Sequence, residues 1–177
     1  MDLRVKKTQK NIKEAFFRLR KKKEIGKISV KELSELALIN KATFYLHYRD
    51  IYDLEDKLEN ELISEMIGEL REREVMSERF EARMISQVLS RSITEHKSEI
   101  DVLYSSEGKN RFINKLEDSL KEFIFTRLPY FRDTVENNIL LSFVVQGTYY
   151  AHLRNSAANP ELLKDVTSRL FVKIFEQ

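Results

Sequence analysis

Apolar side chains recur at three- and four-residue spacing along almost the whole chain, and only four glycines and two prolines punctuate its 177 residues. That period puts apolar groups on one face of a helix, whereas strands need alternation and hairpins need turn residues this chain lacks. The sequence therefore predicts an all-α protein. Ile12, Ala15, Phe16 and Leu19 mark a first helix. A long fourth helix is expected from about Asp50 to Arg73, carrying Leu54, Leu58, Ile63, Met66, Ile67 and Leu70 inward. A fifth covers Glu81 to His96 through Met84, Ile85, Val88, Leu89 and Ile93, followed by a short piece from Ile100 to Tyr104. Ser105-Ser106-Glu107-Gly108 reads as a loop, and the helix from Lys109 to Leu128 buries Phe112, Leu116, Leu120, Phe123 and Ile124 before Pro129 stops it.

Residues 29–54, SVKELSELALINKATFYLHYRDIYDL, hold two short helical patterns joined by a tight turn. Ser29 stands three residues before Glu32, the spacing at which hydroxyl and carboxylate each satisfy a free N–H at a helix start. Leu33, Leu36 and Ala37 then form an inward face. Asn40 is a good cap for the next helix, whose Phe44 and Tyr48 sit four residues apart and pack it on the first. The opposite face carries Lys41, Ala42, Thr43, Tyr45 and His47, groups short or polar enough to approach phosphates and base edges in a major groove. This is a helix-turn-helix layout.

The charge distribution agrees with it. Residues 1–50 carry 14 Lys+Arg against 6 Asp+Glu, and the remainder 17 against 23. A basic head on an acidic body lets one end approach a polyanion such as double-stranded DNA. The run Arg18, Arg20, Lys21, Lys22 and Lys23 could touch phosphate, but cations at a helix end also favour its dipole, and we assign most of them that structural role.

The wording Ala-Thr-Phe-Tyr-Leu-His-Tyr, followed by Arg-Asp-Ile-Tyr-Asp-Leu, resembles the recognition helix and fourth-helix start of TetR-type bacterial transcriptional regulators, specifically over about residues 8–60. The resemblance implies a three-helix DNA-binding head over residues 1–50, joined by the long fourth helix to a helical ligand-binding and dimerisation body over 51–177. It also implies a homodimer that binds a pseudo-palindromic operator, most simply as a repressor released by a small-molecule inducer. By match to the family pattern, Lys31, Lys41, Ala42 and Thr43 are the groove candidates, and Tyr45 and His47 the phosphate candidates. Two departures stand out. Leu38 occupies a turn position where the family often has glycine, which leads us to expect a turn built differently. Ile51 occupies a position where a lysine commonly reaches phosphate, leaving Arg49 or Tyr52 to substitute.

The last two helices, roughly Thr134–Asn155 and Pro160–Phe175, are apolar over more than one stripe, so one face can serve the core and another a partner. In the resembled family two such helices from each subunit form the dimer interface. Leu140, Phe143, Val144 and Tyr150 on one and Leu163, Leu170, Phe171, Ile174 and Phe175 on the other suit that role, and Gly147 would allow close approach. The sequence does not separate these from core positions of a monomer. Tyr104, Phe112, Phe123, Tyr149 and His152 are the candidates for lining an inducer pocket, although aromatics at helical spacing are more often core.

Other classes find little support. The chain has no cysteine, and so no disulfide framework, thiolate metal site or thiol nucleophile. It lacks a Gly-x-Ser-x-Gly elbow, a phosphate-binding glycine loop and a histidine pair at metal-ligand spacing. Glu95, His96 and Glu99 are close enough for a weak metal site, but a solvated helix end is the simpler reading. Neither an enzyme nor a resident cofactor is expected. The longest apolar stretch, Ile139 to Ala151, is too short to span a bilayer, and no signal peptide opens the chain, so the expectation is a cytoplasmic protein with no membrane partner. The rival reading is a helical protein–protein interaction module whose basic head binds an acidic partner. An activator that binds DNA and recruits another protein is the remaining variant.

Overall fold

The computed structural model describes residues 3–74, 82–103, 109–127 and 131–175. Among them the helices are α1 Leu3–Arg20, α2 Val30–Leu36, α3 Lys41–Tyr45, α4 Ile51–Glu74 and α5 Ala82–Glu95. They continue with α6 Lys97–Leu103, α7 Lys109–Arg127, α8 Val135–Arg154 and α9 Pro160–Phe175. A short 3-10 turn, Ile25–Lys27, links α1 to α2, and no strand occurs among the described residues. The protein is all-α, with a three-helix head, a long fourth helix and a helical-bundle body. The expected Ser105–Gly108 loop, the Glu81 start and the Leu128-Pro129 stop lie outside the described residues. The short α6 begins at Lys97 rather than Ile100, because the His96 carbonyl already accepts from the Glu99 and Ile100 N–H groups.

The head follows from its apolar spacing. Ile12, Ala15, Phe16 and Leu19 of α1 are buried, as are Leu33, Ala37, Phe44 and Tyr48. The Phe44 and Tyr48 rings lie 5.5 Å apart, one helical turn removed along the chain. Ser29 Oγ accepts from the Glu32 N–H at 3.1 Å, but the Glu32 carboxylate takes the Lys23 ammonium at 2.6 Å, so only half of the expected reciprocal cap forms. Asn40 Oδ1 accepts from the Thr43 N–H at 2.7 Å and from the Thr43 hydroxyl at 2.9 Å, which fixes the start of α3.

The turn between α2 and α3 corrects one expectation. Leu38 does adopt the left-handed conformation, with φ of 56°, the only non-glycine residue with positive φ among those described. Its N–H bonds to the Glu35 carbonyl at 3.2 Å, and the Ile39 N–H bonds to the Ser34 carbonyl at 3.0 Å. That pair of bonds is a Schellman cap, with leucine at the position glycine usually holds.

In the body, α5 lies along α9, against α4 and against α8, while α7 bridges α4 and α8. Small buried groups, Ala82 and Ser86 on α5 and Thr167 and Ser168 on α9, permit the close approach of those two helices. The core runs without a break from Ile12 to Phe171. Charges also cross between elements. Arg20 of α1 pairs with Glu55 of α4 at 3.0 Å; Arg111 of α7 reaches both Glu55, at 3.3 Å, and Glu59; Lys115 of α7 pairs with Glu59 at 2.8 Å and Asp56 at 2.7 Å. Glu59 is 0% exposed, and its burial is tolerable only because two cations hold its oxygens.

Candidate nucleic-acid interface

Asn40 caps α3 from the side that leads into the turn, and this leaves the first turn of the helix facing outward. Lys41 and Ala42 are exposed and Thr43 is half-buried. Tyr45 stands 57% exposed, its ring centre 5.5 Å from that of the buried Phe44 in an edge-to-face arrangement. Neighbouring positions on one short helix thus divide into a core group and a surface group. Phe44 and Tyr48 anchor the helix, and Lys41, Ala42 and Tyr45 are carried outward. Lys31, exposed in the first turn of α2, and Lys41 have no ion pair among the described residues, so their charges are available.

His47 is half-buried and its carbonyl accepts from the Lys57 ammonium at 2.9 Å. Lys57 also lies 5.1 Å from the centre of the Tyr48 ring and 3.0 Å from Asp53. Sequence reasoning passed over this lysine; the signal for it was the four-residue step from Asp53 to Lys57 along α4. Asp53 is the hub of the joint. It accepts from the Arg49 backbone N–H at 3.0 Å, from Lys57, and from the Arg49 guanidinium at 3.0 and 3.1 Å. These bonds hold its carboxyl pKa down at about 2. The corner between α3 and α4 is therefore fixed by charge as well as by packing.

The position matched by Ile51 is buried and belongs to the core. Tyr52 is exposed beside it, its hydroxyl close to Gly26, while Arg49 is exposed but spends its guanidinium on Asp53. Within the basic run, Arg20 is committed to Glu55 and the Lys23 carbonyl, and Lys23 to Glu32, which are structural roles.

The pocket candidates do not form one site. Tyr104 lies outside the described residues. Phe112 is fully buried, its ring 5.7 Å from Tyr149, and belongs to the core. Tyr149 and His152 do converge on one cavity, roofed by Pro160 and Leu163 of α9 and bordered by Ile93 and Ile100. Burial lowers the His152 pKa, and its Nε2 shares a 2.8 Å hydrogen bond with Ser90 Oγ. The cavity volume is about 60 Å³, short of the roughly 300 Å³ that small-molecule sites usually offer. Phe123 lines a separate cleft between α4 and α7.

The dimer candidates split as well. Phe143 and Leu170 stand 70% and 56% exposed, Leu140, Tyr150, Leu163 and Ile174 are half-buried, and Val144 and Phe171 are core. Phe171 is 1% exposed, packed at 4.9 Å against the Phe175 ring, and has no surface left to offer a partner. The outward stripes are instead Val135, Ile139 and Phe143 on α8 and Leu162, Val166 and Leu170 on α9, each at four-residue spacing. Gly147 is exposed with nothing near its Cα side, so no described helix uses it for close approach.

His96 Nδ1 lies 2.9 Å from Glu99 Oε2, and no group of three metal-ligating side chains occurs among the described residues. Nor is any described helix long and apolar enough to cross a membrane.

No protein-family model matches the chain, and no curated protein does. Among solved structures it is similar to "Dihydroxyacetone kinase operon activator DhaS", over 96% of this chain and 92% of that one, with a TM-score of 0.50 at 19% identity. This likeness concerns the fold: the same all-helical architecture is shared at a sequence distance too great to carry function with it.

Proposed function

We propose that this chain is a DNA-binding transcriptional regulator of the TetR type, whose head, residues 1–50, reads DNA and whose body, residues 51–177, dimerises and responds to a small molecule. One observation carries the reading: the outward first turn of α3, Lys41-Ala42-Thr43 with Tyr45, is capped by Asn40, anchored by Phe44 and set in the basic end of the molecule. A short helix presented this way fits a major groove, where its N-terminal residues meet base edges. Lys41, Ala42 and Thr43 are the base-edge groups in this reading. Lys31 joins them in the groove, and Tyr45 and the His47 side chain hold phosphate. The apolar stripes of α8 and α9 pair with a second copy, giving two recognition helices for a two-fold site.

Repression by occupying a promoter is the primary form of this proposal. Activation is the second form, in which the DNA-bound protein recruits another protein; the structural neighbour is named an operon activator. The deciding experiment is binding of the purified protein to duplex DNA from upstream of its own gene, beside scrambled duplex, over a salt series. Operator binding should exceed random duplex by at least ~10³ and fall linearly in log salt. Tyr45→Phe with Lys41→Ala should abolish that preference and keep the wild-type thermal stability. In-vitro transcription from the bound promoter then gives the sign. Binding that fails to distinguish sequences in a genomic-fragment selection would replace this reading with an acidic-protein interaction module.

A further inference from the structure

The cleft between α4 and α7 has a chemistry that neither the head nor the outer face of α8 and α9 uses. At its floor the core leaves only the edges of Ile63 and Ile67 of α4 and of Phe123 of α7 uncovered, each 3–5% exposed, beneath a polar rim. Its walls end in two arginines, Arg71 from the last turns of α4 and Arg127 from the last residue of α7. Neither has an ion pair or hydrogen bond among the described residues, whereas Arg91 is held by Glu69, Arg111 by Glu55 and Glu59, and Arg169 by Asp165. Glu122 supplies the one carboxylate of the lining, so the cleft is net positive. Hydroxyls of Ser64 and Ser119 add donors, and the cavity volume is about 370 Å³, inside the range of small-molecule sites.

We propose that this cleft binds a small carboxylic acid with an apolar body, aromatic or short-chain aliphatic. The guanidinium fork matches a planar carboxylate in a way a point charge does not, and the Ile63, Ile67 and Phe123 floor takes the apolar part. A cation at a helix C-terminus also favours the helix dipole, but that role calls for neither an apolar floor nor a second arginine on the facing wall. The cleft has a route to the head. Asn60, at its edge, accepts from Lys115 at 3.3 Å; Lys115 holds Glu59, Arg111 joins Glu59 to Glu55, and Glu55 holds Arg20 of α1. A ligand that draws α4 and α7 together acts on those pairs. This consequence rests on the regulator reading, while the binding itself does not.

Isothermal titration of the full chain with sodium benzoate and sodium hexanoate, beside benzamide and hexanamide at equal ionic strength, tests the proposal without DNA. The expected result is saturable binding of at least one acid, one per chain, with no binding of the amides. Arg71→Gln and Arg127→Gln, each checked for unchanged thermal unfolding, should weaken it by roughly tenfold or more, the loss of one charge-assisted bond. Glu122→Gln should instead tighten it. Absence of saturable binding of both acids at about 10 mM, well above a 1 mM constant, would overturn the proposal. So would equal binding of the amides, or acid binding indifferent to both arginine variants. Failure of operator recognition with acid binding intact would remove the regulator reading and leave the site standing.

Discussion

Leu38 occupies a left-handed turn position while its side chain is 88% exposed, so the strain there is not offset by burial. A non-glycine residue in this region costs roughly 1–2 kcal/mol, part of which glycine returns through its greater freedom in the unfolded chain. Leu38→Gly should therefore raise the unfolding free energy by about 0.5–1 kcal/mol, read as a higher urea midpoint at unchanged slope. Asp53 is the second residue with a testable signature. Its pKa is depressed to about 2, so its stabilising effect is complete above the ordinary carboxylate range and is lost as pH falls from about 4 toward 2. Asp53→Asn should be less stable than wild type at pH 7, and the gap should close as the pH is lowered through that window in acid-unfolding curves. The two residues differ in how far the sequence revealed them. Asp53 at four-residue spacing from both Arg49 and Lys57 was readable as a helix-surface pairing, although the capture of the Arg49 backbone N–H was not. Leu38 misled because side-chain type argues against a left-handed turn, and the Schellman hydrogen bonds around it outweigh that local preference.

At the scale of elements, helix positions were legible because burial and apolar period are the same fact seen twice. Leu54, Leu58, Ile63, Met66, Ile67 and Leu70 are all buried along α4, as their spacing requires. The charged side of α4 was not legible. Glu55 and Glu59 look like solvated helix carboxylates, and their partners Arg20, Arg111 and Lys115 lie 35 to 56 residues away in sequence, beyond any local pattern. Only the packing of α1 and α7 on α4 makes them meet. Glu59→Ala should expose how much this junction depends on the pairing. Removing one member of a buried pair typically costs 3–5 kcal/mol, and the half-exposed Arg111 can turn to solvent, so about 2–3 kcal/mol is expected. Glu59→Leu should cost less than Glu59→Ala, since it refills the volume. Equal denaturant midpoints for wild type and both variants would show that the junction is held by the apolar contacts alone.

The whole molecule combines a basic end with an acidic body that leaves one apolar face of α8 and α9 uncovered. The sequence showed that these two helices carry more apolar surface than a single core needs, yet it could not say which stripe faced inward. Phe143 and Phe171 looked equivalent, and only the packing shows the difference: α9 seats Phe171 into the core along α5, while α8, packed on α7, α5 and α9, leaves Phe143 outward. The division makes the proposed dimer testable with two contrasting substitutions. Phe143→Lys combined with Leu170→Lys places charges at the centre of the proposed interface, where an unpaired cation would have to be desolvated. Sedimentation equilibrium should show a monomer for this variant and a dimer for the wild type, with far-ultraviolet dichroism unchanged. Operator affinity should fall steeply, and the slope of log affinity against log salt should drop to about half, because one head contacts half the phosphates. Phe171→Ala should behave in the opposite sense. It opens a cavity in the core, costs about 3–5 kcal/mol of stability, and leaves the mass of the folded fraction at that of the dimer. A lysine double variant that sediments like the wild type would mean that the apolar face serves a different partner, and that the two recognition helices are not brought to DNA by α8 and α9.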